Sequence, residues 1–385
     1  MGYRTPFIEI VDSEGNIVFL DDDEDFYKQY SFAHHRSDLE FFVASLFGDV
    51  YESTDYTADG TVHTLQTATE GAGINVVLMG DAFSDRMIED GTYNTVMNNA
   101  MEAFFSEEPY KSFRNLFNVY SVDVVSKNEV YLGETALETF YGDGTYVGGN
   151  DDKTFEYARK ALTDAQMDEA MVIVMLNRDY YAGTCFMYYT SAEGDYGRGP
   201  AIAYFPTSSD AATFAGLVSH EAGGHGFAKL ADEYSYEGTI PDDEAQGYKD
   251  KFPLGWWKNI DFTDDLSQVK WAQFLSDERY ANEGLGVYEG GCTYALGVWH
   301  PTVQSIMNLN TGGFNAPSRY AIWYRIGKLA YGADWAGSYE DFVAYDAVNR
   351  QQPTAASRHR SYVEKQLPPL APPVVVSRDW REAKR

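Results

Sequence analysis

Short apolar runs of strand length alternate with helical patterns between residues 74 and 205, and this alternation constrains the fold more than any other feature. The apolar runs cover residues 74–79, 118–125, 171–176 and 201–205. The intervening sequence predicts helices over about 92–106 and 155–168. Strands that alternate with helices favour a central sheet packed against helices. The chain is therefore expected to have an α/β (α+β) fold around a central mixed sheet.

The rest of the chain consists of a polar N-terminal part and a basic C-terminal tail. The predicted division is an N-terminal extension over residues 1–70, a main domain over 71–349 and a tail over 350–385. The extension is predicted to contain a β-hairpin over 7–20, an amphipathic helix over 37–47 and a linker over 51–70. The tail carries eight Lys or Arg against three Asp or Glu, and residues 367–373 are polyproline-like. Its positive charge on a negative chain favours packing against its own domain; the alternative is a partner-binding arm.

The overall charge of the chain excludes one large class of function. The 385 residues include 59 acidic and 29 basic ones, which gives a formal net charge of -30. Because such a surface repels phosphate backbones, nucleic-acid binding is excluded as the main function. No apolar stretch reaches the roughly 18 residues that a transmembrane helix requires.

Composition also bears on localisation and on metal sites. The chain is acidic and has 30 tyrosines, which favours a secreted or cell-surface protein, although its first residues show no signal-peptide pattern. Two cysteines are too few for a disulfide framework or a cysteine metal cage, so Cys185 and Cys292 are expected to form one disulfide or to be free buried thiols. The acidic run 21–25 is either a solvated loop or a structural Ca²⁺ site, since hard cations prefer clustered carboxylates.

The segment with the strongest chemical signal is His220-Glu221-Ala-Gly-Gly-His225. It is close to the zinc-peptidase pattern H-E-x-x-H, in which two histidines on one helix face bind Zn²⁺ and the glutamate is the general base. Here, however, the two histidines are five residues apart instead of four. On a regular α-helix, a spacing of five separates two side chains by about 140°, against about 40° for a spacing of four. Both imidazoles reach one metal only if the helix takes in an extra residue as a π-type turn.

Two adjacent glycines mark the expected position of this wide turn. We expect a backbone hydrogen bond of the i→i+5 type near Gly223 or Gly224. Glycine tolerates helix distortion, but two glycines in a helix interior cost about 2 kcal/mol relative to alanine. A purely structural helix has little reason to carry both, which favours a functional distortion. The alternative is that the two histidines lie on the surface near a glycine-rich turn.

The residues that follow the motif, Leu230-Ala231-Asp232-Glu233-Tyr234, complete a pattern that resembles the IgA metallopeptidase family of secreted bacterial zinc endopeptidases. The second histidine of that family usually comes four residues after the first, so this chain carries a variant. A six-residue H-E-x-x-G-H motif binds zinc in the dipeptidyl-peptidase III family, which makes the longer spacing compatible with a metal site. More broadly, the segment resembles the metzincin clan, in which a third ligand follows the second histidine.

This resemblance implies a set of metal ligands. The implied ligands of Zn²⁺ are His220, His225 and Asp232. Gly226 would help the chain to leave the helix, so that the Asp232 carboxylate turns back towards the metal. Glu233 and His300 are the alternatives for the third ligand. Otherwise, Glu233 would support a zinc-bound histidine and His300 would line the cleft.

A second segment adds to the resemblance. Residues 297–308 resemble the methionine turn that lies beneath the zinc in metzincins, with Met307 as the turn methionine. Residues 314–319 then lead into an apolar helix, as in the IgA-peptidase family. The resemblance covers about residues 73–335 and implies a metzincin-like zinc-metallopeptidase fold with an active-site helix.

These features together predict a zinc-dependent endopeptidase. Glu221 would act as general base on a metal-activated water, and Tyr234 or Tyr320 would help to hold the developing oxyanion. The expected partner is a protein or peptide substrate, and the family name implies an extracellular, IgA-like host protein. The alternatives are a catalytically weak or inactive glycan- or protein-binding module and a zinc amidase that acts on a non-protein substrate. The presence of Glu221 argues against the inactive module, because a degenerate peptidase usually loses its general base.

Overall fold

A computed structural model of the chain describes residues 51–129, 134–190, 193–350 and 368–382, together with the backbone of two short strands. These strands, β1 (Glu9–Val11) and β2 (Ile17–Phe19), pair antiparallel, which confirms the hairpin predicted over 7–20. The helix predicted over 37–47 and the acidic run 21–25 lie outside the described residues.

A seven-stranded sheet forms the centre of the described structure. In spatial order its strands are β13 (Val374–Val376), β9 (Thr184–Tyr188), β10 (Ala201–Pro206), β8 (Met171–Leu176), β4 (Ile74–Asp81), β5 (Phe117–Val122) and β3 (Val62–Gln66). The four central strands, β10, β8, β4 and β5, are parallel. At the two sides, β9 pairs antiparallel with β10 and β3 pairs antiparallel with β5. The central mixed sheet and the four strands predicted from the apolar runs are thus confirmed.

Two hairpins and a set of helices surround the sheet. The hairpins pair β6 (Phe140–Tyr141) with β7 (Val147–Gly148) and β11 (Leu285–Gly291) with β12 (Tyr294–Thr302). The α-helices span Asp85–Glu89, Thr92–Phe104, Asp151–Ala161, Asp164–Met167, Ala211–Leu217, Asp242–Lys249, Ala272–Leu275, Ile306–Leu309, Ala316–Tyr331 and Tyr339–Arg350. A π-helix spans Val218–Phe227, and 3₁₀ turns span Arg114–Leu116, Phe252–Leu254, Glu278–Tyr280 and Trp380–Glu382. The helix predicted over 92–106 is confirmed, and that predicted over 155–168 is split in two.

Alternation along the buried strands creates a core on each face of the sheet. Along β4, Val76 and Leu78 belong to the first core, whereas Val77 and Met79 belong to the second. Successive side chains of a strand point to opposite faces, so an uninterrupted apolar run supplies both cores at once. The π-helix Val218–Phe227 contributes to the first core, which fixes it against one face of the sheet.

The two edge strands come from polar or terminal parts of the chain. β3 lies within residues 51–70, where a linker is expected, and β13 lies within the tail over 350–385. Val62 and Thr64 of β3 are exposed, so this edge strand needs no apolar run and carries little signal in the sequence. The division into three parts stays a prediction.

A third core lies away from the sheet and is formed by aromatic side chains, among them Trp271, Trp323 and Phe342. Cys185 and Cys292 are free buried thiols, which is one of the two expected states. Within the described ranges, no helix combines the length and the apolar character needed to span a membrane.

Candidate metal centre

The histidine motif lies in a π-helix. Residues Val218–Phe227 adopt this conformation and continue directly from the α-helix Ala211–Leu217. The amide of Ala228 donates to the carbonyl of Gly223 at 3.1 Å, a bond between residues five apart. Bonds of this spacing bring residues five apart onto the same side of a helix. The predicted wide turn is confirmed, but it extends over the whole motif instead of a single inserted residue.

Close packing, as well as helix distortion, explains the glycines of the motif. A Cβ atom on Gly224 would lie 2.2 Å from Sδ of Met307, and one on Gly226 would lie 2.4 Å from Sδ of Met171. Two methionine side chains therefore pass directly over the helix backbone. The chain leaves the helix at Lys229, whose φ of 54° is left-handed, while Gly226 lies inside the π-helix. The expectation that Gly226 makes the exit is wrong, because its role is to admit a neighbouring side chain.

His220, His225 and Asp232 converge in one buried cluster. The Nε2 atoms of the two histidines lie 3.0 Å apart, and Oδ1 of Asp232 lies 3.2 Å from each of them. Nδ1 of His220 bonds to the carbonyl of Ile306 at 2.8 Å, and Nδ1 of His225 bonds to that of Leu230 at 2.7 Å. Because a carbonyl oxygen only accepts, each Nδ1 must carry the proton. A neutral imidazole then presents an unprotonated Nε2 to the cluster.

This donor set fits a metal ion. Two imidazole nitrogens and a carboxylate oxygen face one another, and all three are atoms that a single cation can bind. In a tetrahedral zinc site, with ligand atoms about 2.0–2.1 Å from the metal, those atoms lie about 3.3 Å apart, close to the spacings seen here. One ligating atom from each of the three residues lies within 4.8 Å of the other two.

Glu221 lies next to this cluster with a free carboxylate. It is fully buried, and within the described residues neither of its carboxylate oxygens has a hydrogen-bond partner. Burial raises the pKa of Glu221 to about 8, while His220 acts to lower it. A Cβ atom on Gly183 would lie 2.9 Å from Oε1 of Glu221, so the loop before β9 closes directly over the carboxylate. An unpaired buried carboxylate is costly, and such groups concentrate at functional sites.

Glu233 points away from the cluster into a separate polar network. The hydroxyl of Ser305 donates to its Oε2 at 2.6 Å, and the side-chain amides of Asn259 and Asn315 donate to its Oε1, each at 2.9 Å. Burial raises the pKa of the Glu233 carboxyl. Both oxygens of Glu233 are therefore engaged elsewhere, and Asp232 is the acidic residue that reaches the histidines.

His300 and Met307 occupy supporting positions. Nδ1 of His300 bonds to the carbonyl of Gly290 at 2.7 Å within the β11–β12 hairpin, and His300 is not part of the three-residue cluster. Met307 is buried and packs against the π-helix at Gly224. Its carbonyl accepts a hydrogen bond from the amide of Glu233 at 2.9 Å. The methionine segment thus joins the helix to the loop that carries Asp232.

The two tyrosines considered as oxyanion donors lie in different places. The hydroxyl of Tyr234 donates to the carbonyl of Leu370 at 2.5 Å, and burial and the neighbouring Asp232 raise its pKa. Tyr320 instead packs against Trp323 in the third core. Only Tyr234 is therefore placed near the metal cluster.

Further contacts, one of them from a distant part of the chain, complete the site, and sequence reasoning missed them. The hydroxyl of Tyr110 donates to the carbonyl of Gly223 at 2.6 Å, and Nζ of Lys229 donates to that of Gly226 at 2.7 Å. Gly183 leaves room for the Glu221 carboxylate, as described above. No local pattern distinguishes Tyr110 from the other tyrosines, because its partner lies more than a hundred residues away.

Comparison with known proteins yields one family. A sequence model described as IgA Peptidase M64 matches residues 62–280, which is more than half of the chain. The matched region includes β3 to β10, the π-helix and the cluster of His220, His225 and Asp232. Met307 lies beyond it. Among curated proteins, none matches this chain.

Proposed function

Because the chain belongs to the IgA Peptidase M64 family, we propose that it is a zinc-dependent endopeptidase. The family is one of peptidases, and the mixed α/β structure is compatible with a peptidase fold. The proposal adds the metal and the roles of individual residues. Its metal ligands are His220, His225 and Asp232, and its general base is Glu221.

One observation carries this proposal. The Nε2 atoms of both histidines and a carboxylate oxygen lie within 3.2 Å of one another, beside a buried glutamate whose carboxylate has no hydrogen-bond partner among the described residues. A structural cluster would pair these groups with donors instead of leaving them facing each other. An inactive binding module has no need to keep Glu221 buried and unpaired, so its state favours an enzyme.

The metal, Glu221 and Tyr234 have different roles in the proposed hydrolysis. Bound zinc would supply Lewis acidity, which acidifies a water molecule and polarises the carbonyl of the scissile bond. Glu221 accepts the proton of that water on a free carboxylate oxygen and then passes it to the leaving amine. Burial raises the pKa of Glu221, and a cation bound beside it would favour the charged carboxylate that a general base requires. Tyr234 is the candidate for holding the developing negative charge.

The surroundings hold the reacting groups in place. Backbone carbonyls of Ile306 and Leu230 fix the two imidazole rings, and the network around Glu233 fixes the loop that carries Asp232. We infer a metzincin-like arrangement, with the π-helix packed on the mixed sheet and Met307 in the position of the turn methionine. Such preorganisation is what allows a metal and a base to act on one bond.

We also infer that the substrates are extracellular proteins. The family description names IgA, and the acidic, tyrosine-rich composition favours a secreted or cell-surface protein. An IgA-like host protein is therefore the first substrate to assay.

Zinc content and hydrolysis, measured together on three variants, test the proposal. We expect Glu221→Gln to keep its zinc and to lose about 10²- to 10⁴-fold in kcat. We expect His225→Ala to lose the zinc. Glu237→Gln, an exposed neighbour of the motif, is the control that should change neither quantity. Equal zinc in the wild type and His225→Ala would refute the ligand set, and near wild-type cleavage by Glu221→Gln would refute the base.

A further inference from the structure

Part of the C-terminal tail lies along the edge of the sheet. Val374–Val376 pairs in parallel with β9, and the amide of Tyr189 donates to the carbonyl of Val376 at 3.0 Å. Farther along, Arg378 forms an ion pair with Asp152 at 2.5 Å, and Trp380 is buried in the second core. The segment is therefore anchored at its C-terminal end by the sheet and by the second core.

The beginning of the same segment reaches the metal cluster. The carbonyl of Leu370 accepts the hydrogen bond from the Tyr234 hydroxyl at 2.5 Å, and the carbonyl of Pro369 accepts one from the Thr145 hydroxyl at 3.0 Å. Leu370 is only 1% exposed. Tyr234 follows Asp232 by two residues in the same buried loop. Residues 369 and 370 thus lie beside the proposed site of hydrolysis.

Main-chain groups make these contacts, as they do in a bound peptide. Two side-chain hydroxyls donate to backbone carbonyls, and a strand edge pairs with backbone amides, which is how proteins hold extended peptides of varied sequence. Prolines at 368, 369, 372 and 373 keep the segment extended and remove four amide donors. The segment therefore has the shape and the bonding of an extended peptide ligand.

A substrate cannot reach the cluster while its surroundings stay as they are. The exposed fraction is 0% for Glu221 and His225 and 2% for His220 and Asp232. A scissile carbonyl must come next to the water that this base deprotonates, so part of the covering structure has to move. The tail segment is held by two side-chain hydrogen bonds to its carbonyls and by the pairing of β13 at the edge of the sheet. The π-helix and the central strands are instead packed into the first core.

We propose that residues 368–376 are a built-in occupant of a peptide-binding surface formed by the outer edge of β9, Thr145 and Tyr234, and that a substrate binds only after this segment is displaced. The inference rests on the proposed function and adds its regulation. Displacement frees the Tyr234 hydroxyl and uncovers a strand edge with which an extended peptide can pair.

Cutting the chain before the segment tests the inference on the complete protein. A recognition sequence for a site-specific protease is inserted after Arg360, and the cut protein retains all of its residues. The cut turns an intramolecular contact into a bimolecular one, whose occupancy falls on dilution. The control carries the same insertion with one substitution that prevents cutting. Two quantities are measured: cleavage of a quenched peptide library and the rate of zinc loss to a chelator.

We expect both quantities to rise by at least about tenfold when the cut protein is diluted from micromolar to nanomolar concentration. A synthetic peptide of residues 368–385 should reverse both changes, and the uncut control should show neither. In the uncut chain, Thr145→Val removes one of the two hydrogen bonds and should raise the rate of cleavage about two- to tenfold.

Opposite results would overturn the inference. If cutting lowers activity and the added peptide restores it, the segment supports the site instead of blocking it. If activity and zinc loss do not change on dilution, the segment is not displaced. If neither the cut nor the uncut protein binds zinc or cleaves any peptide, the proposed function itself fails, which is a different outcome from these two.

Discussion

Gly224→Ala is the substitution for which the structure gives the clearest expectation. The added Cβ would lie 2.2 Å from Sδ and 2.8 Å from Cε of Met307, well inside the roughly 3.5–4.0 Å of an ordinary contact. Met307 is fully buried, so it cannot swing into solvent. Overpacking of this kind costs about 1–3 kcal/mol, and the better helix propensity of alanine offsets about 1 kcal/mol. Because the overlap is severe, we take the upper end of that cost and expect the free energy of unfolding to fall by about 2 kcal/mol.

Urea denaturation of the metal-free protein measures this loss, since bound metal would otherwise add to the stability of the folded state. Gly247→Ala is the matched control: Gly247 lies in the helix Asp242–Lys249, and a Cβ there would meet no atom within 4 Å. It should be neutral or stabilising by up to about 1 kcal/mol. In a double-mutant cycle, Gly224→Ala should cost less in a Met307→Ala background than in the wild type, because the overlapping atoms are then gone. Equal stabilities of Gly224→Ala and Gly247→Ala would refute the argument from close packing.

Three further outcomes follow, two from contacts around the centre and one from Lys270, a lysine outside it that pairs with Asp261. Tyr110→Phe removes the hydrogen bond to the carbonyl of Gly223 and should lower the free energy of unfolding by about 0.5–1.5 kcal/mol in the same denaturation assay. Gly183→Ala places a Cβ 2.9 Å from Oε1 of Glu221, so kcat should fall by about tenfold or more while the zinc content stays unchanged; full activity would mean that Glu221 tolerates the shift. Burial lowers the pKa of Lys270 to about 7, so the unfolded chain binds more protons between pH 7 and 10 and stability should rise with pH in that window. Lys270→Met should reduce that rise by up to about 1.4 kcal/mol per pH unit, and an unchanged slope would contradict the shift.

Local patterns in the sequence predict much of the sheet and of the histidine helix. Largely apolar runs mark β4, β8 and β10 because these strands are buried on both faces. In β5, apolar residues alternate with the half-buried Asn118 and Tyr120. The five-residue spacing of His220 and His225 predicts a wide turn because no regular α-helix brings both rings to one metal. The choice of Asp232 as third metal ligand depends on the resemblance to a family, since spacing alone does not favour Asp232 over Glu233.

The remaining features depend on contacts between distant residues. The glycines of the π-helix leave room for two methionines from elsewhere in the chain, Met307 and Met171 of β8. The choice between Asp232 and Glu233 depends on a network that includes Ser305, seventy-two residues beyond Glu233. Edge strands such as β3 and β13 form their backbone hydrogen bonds with a neighbouring strand, and they do so without a buried apolar run. Such contacts leave no periodic trace in the sequence.

Anomalous X-ray scattering shows directly whether His220, His225 and Asp232 hold one zinc ion. Crystals of the purified protein are measured on both sides of the zinc absorption edge. We expect a single peak that appears only above the edge, about 2.0–2.2 Å from Nε2 of both histidines and from a carboxylate oxygen of Asp232. A zinc peak next to Glu233 or His300 would refute this ligand set. A fully occupied zinc peak that does not lie between the two imidazoles would refute it as well.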